Sequence, residues 1–215
     1  MTTQQKPLNL VVFGATGPSG IELCKQAVTA GHNVTAYVRN PARLNIDKVT
    51  IVKGELTDKQ AIDEAVKGKD AVLCALGGNT FLTRNYVAST GTKAIIESMK
   101  SQGTNRLVVL SSIGAGPGNR SLIAWYLRLF LYQILADKDD QEDLVMKSGL
   151  DWTIVRPPKL NNKPFTGKVF AAPGGVLPNG HMSRADVAHF MLQTVYERSW
   201  VQQTPHISWP ANFSI

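Results

Sequence analysis

The chain has 215 residues, of which 43% are hydrophobic and 18% are charged, and a formal net charge of +7 at pH 7. This composition is typical of a folded globular protein. A chain of this length buries enough surface to form one domain over residues 1–215 without disulfides. Its lysines and arginines are scattered, which favours small anionic partners and argues against nucleic-acid binding.

Cysteine use and apolar runs bear on the compartment. Cys24 and Cys74 lie in a predicted helix and a predicted strand, and their spacing indicates neither a disulfide nor a metal site. Residues 1–6 are polar and lack the apolar segment of a signal peptide. The apolar stretch 122–136 is shorter than the ~20 residues that a membrane span needs, and Arg128 interrupts it. We therefore expect a cytoplasmic protein without a metal or a membrane span.

Short apolar strands alternate with helical patterns along the chain. Strands are predicted at residues 8–13, 33–38, 49–52, 70–76, 106–111 and 152–155, with a short extended piece at 168–172. Helices are predicted at residues 19–30, 58–68, 85–102, 139–147 and 184–196, with the apolar stretch 122–136 preceding the fourth. This alternation predicts βαβ units, and therefore a single-domain Rossmann fold: a doubly wound parallel sheet between two helical layers.

Residues 14–20, with the sequence GATGPSG, join the first predicted strand to the first predicted helix. Such a turn needs glycine because the strand bends sharply, backbone N–H groups approach a pyrophosphate, and the helix packs close to the sheet. The free N–H groups at the start of the helix then bind the phosphates. We expect cofactor contacts from Gly14, Thr16, Gly17, Pro18, Ser19 and Gly20. The Gly-x-x-Gly-x-x-Gly spacing resembles the extended and atypical branches of the short-chain dehydrogenase/reductase superfamily.

The end of the second strand indicates which dinucleotide binds. Residues 37–43, YVRNPAR, contain no carboxylate of the kind that accepts hydrogen bonds from the ribose of NAD. Arg39 can lie against the adenine and pair with the 2′-phosphate of NADP, and Arg43 can assist. We therefore expect the cofactor to be NADPH.

Further cofactor contacts are expected at the carboxyl ends of the other strands, where open α/β sheets bind ligands. In the superfamily that the glycine spacing resembles, a Gly-Asp-hydrophobic step borders the adenine. Glu55 and Leu56 occupy the matching positions here. The remaining expected contacts are Leu76, Gly77, Gly78, Ser111 and Pro157.

The chain lacks the Tyr-x-x-x-Lys pair with which typical short-chain dehydrogenases protonate a carbonyl oxygen. None of Tyr86, Tyr126 and Tyr132 has a lysine four residues later. Chemistry that needs a positioned proton donor is therefore disfavoured. Flavins and linear tetrapyrroles take their proton readily from water, so a protein need only stack them on the nicotinamide. Ser111 and Ser112 end the fifth strand, where the nicotinamide should lie.

Several segments along the chain carry a family resemblance: residues 11–17, 38–39, 70–72, 148–150, 157–158, 164–167 and 189–192. Through them nearly the whole chain resembles the biliverdin-IXβ reductase/flavin reductase family. The resemblance implies a monomer that uses NADPH to reduce flavins or biliverdin isomers. The family has a serine at the position of Ser112, close to the nicotinamide and the acceptor. It often has histidines at the positions of Lys138 and Lys159. The resemblance therefore implies that these two lysines are cations that can pair with propionates or phosphate.

Two alternative functions stay open. A non-enzymatic NADP(H) sensor or assembly factor, resembling the NmrA-like branch, agrees with the missing Tyr-x-x-x-Lys pair. A nucleotide-sugar epimerase is a third hypothesis, but it needs that tyrosine and a larger C-terminal domain. The apolar stretch 122–136 is interpreted as a core helix, a lid for an aromatic acceptor, or a surface contact. We expect His189 to be a core residue and His181 to face solvent.

Overall fold

A six-stranded parallel sheet forms the centre of the computed structural model, which describes residues 6–77, 86–116, 122–174 and 178–213. The strands are β1 Asn9–Phe13, β2 Asn33–Val38, β3 Val49–Lys53, β4 Ala71–Cys74, β5 Arg106–Leu110 and β6 Asp151–Val155. Their order is β3-β2-β1-β4-β5-β6. The order reverses between β1 and β4, and dinucleotides bind across such a reversal. The predicted Rossmann fold is confirmed.

Helices cover both faces of the sheet. Their bounds are α1 Pro18–Thr29, α2 Lys59–Val66, α3 Val87–Gln102, α4 Leu122–Met146 and α5 Arg184–Tyr196. α1 and α5 share one hydrophobic core with the sheet, and α2, α3 and α4 share the other. Along β1, Leu10 and Val12 enter the first core while Val11 and Phe13 enter the second. A strand buried on both faces is apolar throughout, which is why the run was recognisable.

α4 differs from the prediction. The sequence indicated an apolar stretch at residues 122–136 and a separate helix at 139–147, but the structure has one helix of 25 residues from Leu122 to Met146. The separation was wrong because Asp137 and Lys138, which interrupt the apolar pattern, are buried polar residues inside the helix. The side chains of residues 122–132 lie outside the described set, so the interpretations of the apolar stretch as core, lid or surface contact stay open.

Four three-residue strands follow β6 in the described part of the chain and form two separate two-stranded sheets. They are β7 Lys159–Asn161, β8 Phe170–Ala172, β9 His181–Ser183 and β10 His206–Ser208. β7 pairs in parallel with β9, and β8 pairs antiparallel with β10. Only β8 was anticipated, as part of the extended piece at 168–172, since strands this short show no periodicity.

Membrane-spanning helices and metal-ligand clusters are both absent from the described residues. Of the helices in those ranges, none is both long enough and apolar enough to cross a bilayer. No His, Cys, Asp and Glu side chains there gather in a group that could hold a metal ion. Cys24 and Cys74 are both free thiols and both buried.

Candidate functional site

The glycine turn after β1 has the close contacts that its sequence requires. Gly14 has φ +79°, and a Cβ there would lie 2.6 Å from the carbonyl oxygen of Ala75. A Cβ on Gly20 would lie 2.1 Å from the carbonyl oxygen of Gly14. The first glycine therefore allows the chain to turn past the end of β4, and the third allows α1 to begin close to the turn.

The start of α1 is suited to an anion. Gly17 is the N-cap residue and no side chain caps the helix. Pro18 occupies the first turn and has no N–H group, so the outward-facing donors come from Ser19 and Gly20. A helix N-terminus of this kind binds phosphate through its N–H groups and its partial positive charge.

The arginines expected to select NADPH are both on the surface after β2. Arg39 and Arg43 are exposed, and within the described ranges neither forms a salt bridge. The side chain of Asn40 accepts a hydrogen bond from the backbone N of Ala42 at 3.1 Å. This bond begins a short 3-10 turn that includes Arg43. Both guanidinium groups are therefore available at the same end of the sheet.

Tyr37 fixes the adjoining strand ends. Its ring packs against Phe13 with 4.9 Å between centroids. Its hydroxyl donates to the carbonyl oxygen of Glu55 at 2.6 Å. Burial, together with the nearby Asp58 and Glu55 carboxylates, raises the pKa of Tyr37 to about 12. The phenol therefore stays a neutral donor that holds the backbone of Glu55, whose own side chain is exposed.

The side chains of Leu56, which follows β3, and Leu76, which follows β4, both pack against α3 at Gly91. A Cβ on Gly91 would lie 2.6 Å from Cδ1 of Leu76 and 2.9 Å from Cδ1 of Leu56. The absence of a side chain at Gly91 thus lets two of the expected cofactor contacts form one apolar wall. Gly77 is exposed beside this wall, and Gly78 lies outside the described residues.

Ser111 and Ser112 face different surroundings. Ser111 is buried, and its hydroxyl donates to Oε1 of Glu142 at 2.5 Å. Glu142 also pairs with Arg156, whose Nε lies 3.1 Å from the same oxygen. Ser112 is half-buried, and its hydroxyl donates to the carbonyl oxygen of Ile113 at 3.2 Å. Of the two, Ser112 is the better placed to contact a ligand.

Lys138 is buried, and its amine is fully used. Its Nζ donates to the carbonyl oxygens of Leu76 at 2.8 Å and Leu110 at 2.7 Å, and to Oε1 of Gln141 at 2.8 Å. An ammonium has three hydrogens, so none remains for an acceptor. Burial lowers the pKa of Lys138, and the Cys74, Asp137 and Glu142 side chains oppose this shift. The geometry thus disfavours the expected contact with substrate: Lys138 joins the carboxyl ends of β4 and β5.

Lys138 belongs to a row of buried polar side chains on the inward face of α4, and it alone of that row was among the site residues predicted from the sequence. The other members are Asp137, Gln141 and Glu142. Asp137 accepts hydrogen bonds from the backbone N of Ala88 and Ser89, at 3.0 and 2.9 Å, and so caps α3. Spacings of one, four and five residues put them on one helix face, which is the signal that could have found them.

The segment after β6 lies beside the two serines. The backbone N of Ile113 donates to the carbonyl oxygen of Pro157 at 2.9 Å. Lys159, two residues later, is exposed and begins β7. His181 is exposed, as predicted. His189 is half-buried rather than fully buried, and its ring meets that of Phe165 edge-on at 5.0 Å.

Comparison with known proteins agrees with this geometry. The sequence profile of a family described as NAD(P)H-binding matches residues 14–198. The chain belongs to this NAD(P)H-binding family. The match begins at the first glycine of the turn and extends past the end of α5.

Proteins similar to this chain carry several names. The chain is 32% identical to an uncharacterized chloroplastic protein of Arabidopsis thaliana over 89% of this chain and 73% of that protein. It is 30% identical to a (4-alkanoyl-5-oxo-2,5-dihydrofuran-3-yl)methyl phosphate reductase of Streptomyces griseus over 69% of this chain and 46% of that protein. The solved structure of ChuY, an anaerobillin reductase from Escherichia coli O157:H7, superposes with a TM-score of 0.79 at 20% identity, covering 96% of this chain and 99% of that one.

Proposed function

We propose that this protein is an NADPH-dependent reductase whose acceptor is a flavin or a biliverdin-like linear tetrapyrrole. The observation that best supports the proposal is the set of side chains at the end of β2. Arg39 and Arg43 are exposed there, and residues 37–43 contain no carboxylate. Two guanidinium groups near the glycine turn favour a 2′-phosphate, because they supply charge where an NAD-binding site has an acid.

The hydrogen bonds that the two serine hydroxyls donate support an acceptor that needs no proton-donating side chain from the protein. Ser111 directs its hydrogen to Glu142, and Ser112 directs its hydrogen to a backbone carbonyl. A flavin or a linear tetrapyrrole receives hydride from a stacked nicotinamide and takes its proton from water. The reductase names of the Streptomyces relative and the Escherichia coli neighbour support the reaction class. The monomeric state and the cytoplasmic location stay predictions.

The test is steady-state oxidation of NADPH by the purified protein in the presence of FMN, FAD, riboflavin, biliverdin or a quinone. We expect turnover above the protein-free rate with a flavin or with biliverdin. Ser112→Ala should slow this turnover while the dissociation constant of NADPH, measured by calorimetry, stays within about twofold.

Two results would contradict the proposal. If neither nicotinamide coenzyme binds at millimolar concentration, the glycine turn has been misinterpreted. If NADPH binds but no acceptor is reduced, the protein is better explained as a non-enzymatic NADP(H) sensor, and a partner that co-purifies with it would strengthen that alternative.

A further inference from the structure

A cavity of about 600 Å³ is lined by helices α1 and α5, which cover the same face of the sheet. α1 contributes wall residues between Glu22 and Ala30, and α5 contributes wall residues between His189 and Glu197. The volume is within the range of small-molecule pockets, which are typically apolar with a few polar groups that orient the ligand.

This cavity extends towards the edge of the sheet opposite the glycine turn. His32 is a wall residue and immediately precedes β2, so it lies at the amino edge of the parallel sheet. The glycine turn follows β1 at the carboxyl edge, and a strand of five or six residues is about 17–20 Å long. None of the described wall residues is an expected coenzyme contact. The cavity is therefore separate from the proposed coenzyme site.

The walls of the cavity are apolar along α5 and aromatic at both ends. The hydroxyl of Tyr196 lies 2.8 Å from Nε2 of His32, which fixes the phenol ring. At the other end, the exposed ring of Phe165 packs edge-on against His189. Leu192 is three residues after His189 and four before Tyr196, so the three lie on one side of the helix. Such a wall suits one ring or a short alkyl chain.

The end of the cavity at the amino edge of the sheet is negative. Ala30 is the C-cap residue of α1 and Glu197 is the C-cap residue of α5, and both are wall residues. A helix C-terminus carries about half a negative charge, and neither of these helices has a basic residue in its last turn. Glu197 adds its own carboxylate. A ligand cation is therefore favoured between the two helix ends.

The other charged groups of the wall leave this sign unchanged. Glu22 is a second carboxylate, and Lys25 is the only lysine or arginine among the described wall residues. Within the described ranges neither of them, nor Glu197, forms a salt bridge. Lys25 offsets one of the two carboxylates, so the second carboxylate and the two helix ends remain in excess. Arg198 lies outside the described wall and pairs with Asp151.

The titratable rings of the wall add no positive charge at neutral pH. Burial lowers the pKa of His32 below its ordinary value. Burial also lowers the pKa of His189, although Asp186 and Glu197 oppose that shift. The imidazole of His189 forms no hydrogen bond within the described part of the chain, so it offers the cavity one donor and one acceptor.

We propose that this cavity binds an organic cation. Its ammonium group lies between the C-termini of α1 and α5, and its apolar body packs on Leu192 and Phe165. The ring of Tyr196 strengthens the preference, because aromatic faces attract cations. This site goes beyond the proposed reductase function and needs neither the coenzyme nor an electron acceptor.

The test compares three probes that share a phenyl ring: phenethylamine is a cation, phenethyl alcohol is neutral and hydrocinnamate is an anion. Their dissociation constants are measured by ligand-observed NMR titration of the full chain without coenzyme. We expect phenethylamine to bind in the millimolar range and phenethyl alcohol to bind about fivefold more weakly. Hydrocinnamate should bind more weakly than both.

Two exposed wall residues supply the variants. Glu197→Gln should weaken phenethylamine binding by about threefold to fivefold and leave phenethyl alcohol unchanged. Glu97→Gln, at an exposed position on α3, is the matched control and should change neither. Gln193→Trp places a bulky ring in the cavity and should abolish binding of both probes. Circular dichroism and urea unfolding check that each variant is folded.

Four results would overturn the inference. Phenethylamine fails to bind the native protein, or all three probes bind equally. Glu197→Gln weakens phenethylamine no more than Glu97→Gln does, which would attribute the preference to overall charge. Folded Gln193→Trp still binds the amine with native affinity, which would place the amine elsewhere. Because no coenzyme is present, none of these results depends on the reductase assay.

Discussion

The hydroxyl of Ser111 donates to the carboxylate of Glu142, across the space between the end of β5 and helix α4. Glu142 is fully buried, and its charge is balanced by the guanidinium of Arg156. Because this hydroxyl hydrogen is committed to a carboxylate, Ser111 offers only lone pairs to any other partner. The residue that follows β5 is therefore held as a hydrogen-bond acceptor by Glu142 of α4, which Arg156, the residue after β6, holds in turn.

Glu142→Gln should destabilise the protein strongly. The substitution leaves the buried guanidinium of Arg156 without its counter-charge, and breaking a buried pair in this way costs about 3–5 kcal/mol. The measurement is the free energy of unfolding in urea. Glu97→Gln, at an exposed position on α3, is the matched control and should change it by less than about 0.5 kcal/mol. A loss at Glu142 no larger than the control would mean that the pair is not a structural element.

Lys138→Met should weaken NADPH binding as well as folding. Removing the amine leaves the carbonyl oxygens of Leu76 and Leu110 without their donor, at a cost of about 1–3 kcal/mol in unfolding free energy. Leu76 is also an expected cofactor contact, so movement of its backbone should raise the dissociation constant of NADPH. Lys93→Met, at an exposed position on α3, is the control. Urea unfolding measures the loss of stability, and calorimetric titration measures the dissociation constant of NADPH. An unchanged dissociation constant would mean that Lys138 does not support the cofactor site.

The sheet was predictable because both of its faces are buried. Leu10 and Val12 face one core and Val11 and Phe13 the other, so the strand is a continuous apolar run that can be recognised without a structure. α5 was placed at residues 184–196 and is found there, since Ser183 caps it.

The polar row on α4 was not predictable in the same way. Polar residues such as Asp137 and Lys138 are usually exposed, so their place in an apolar pattern looks like the end of a helix. Their burial depends on partners distant in sequence: Asp137 reaches Ala88 and Lys138 reaches Leu76. The glycine turn could be predicted because its pattern lies within residues 14–20, even though Gly14 packs against the distant Ala75, whereas the Glu142–Arg156 pair needed the tertiary structure.

Arg39→Asp should shift the coenzyme preference from NADPH towards NADH. The change removes a charge-assisted contact with the 2′-phosphate and introduces repulsion, so NADPH affinity should fall by roughly tenfold to a hundredfold. NADH affinity should stay the same or improve, because the new carboxylate can accept bonds from the ribose. Calorimetric titration with both coenzymes measures this. Lys100→Asp carries the same charge change at a remote exposed site, and an equal response there would attribute the effect to net charge alone.

The two cysteines should be unreactive in the folded protein. Both thiols are buried, and burial raises the pKa of Cys24 to about 12 and also raises that of Cys74. The thiolate is the reactive species, so alkylation at neutral pH should be very slow without denaturant and should modify both residues in urea. Mass spectrometry counts the modified sites. Rapid labelling of either residue under native conditions would show that its segment opens.

Asp186→Asn should make the protein less stable at neutral pH and less sensitive to acid. Burial raises the pKa of Asp186, but hydrogen bonds from Trp209, Thr166 and Ser183 outweigh it and hold the pKa below the ordinary value of 3.8. The folded state thus binds this proton less readily than the unfolded state. Its contribution to stability is present above pH 3.8 and is lost as the pH falls through the lowered value.

The asparagine variant cannot reproduce these bonds, because its NH₂ group must face a donor: the indole of Trp209 or the backbone N–H groups of Thr166 and Gly167. The difference in unfolding free energy between the native protein and Asp186→Asn should therefore be largest near pH 7 and shrink in strong acid. Asp47→Asn, at an exposed position, should show no such dependence. Urea denaturation at a series of pH values measures it. A difference that stays constant with pH would mean that the charge of Asp186 contributes nothing and that only its shape is required.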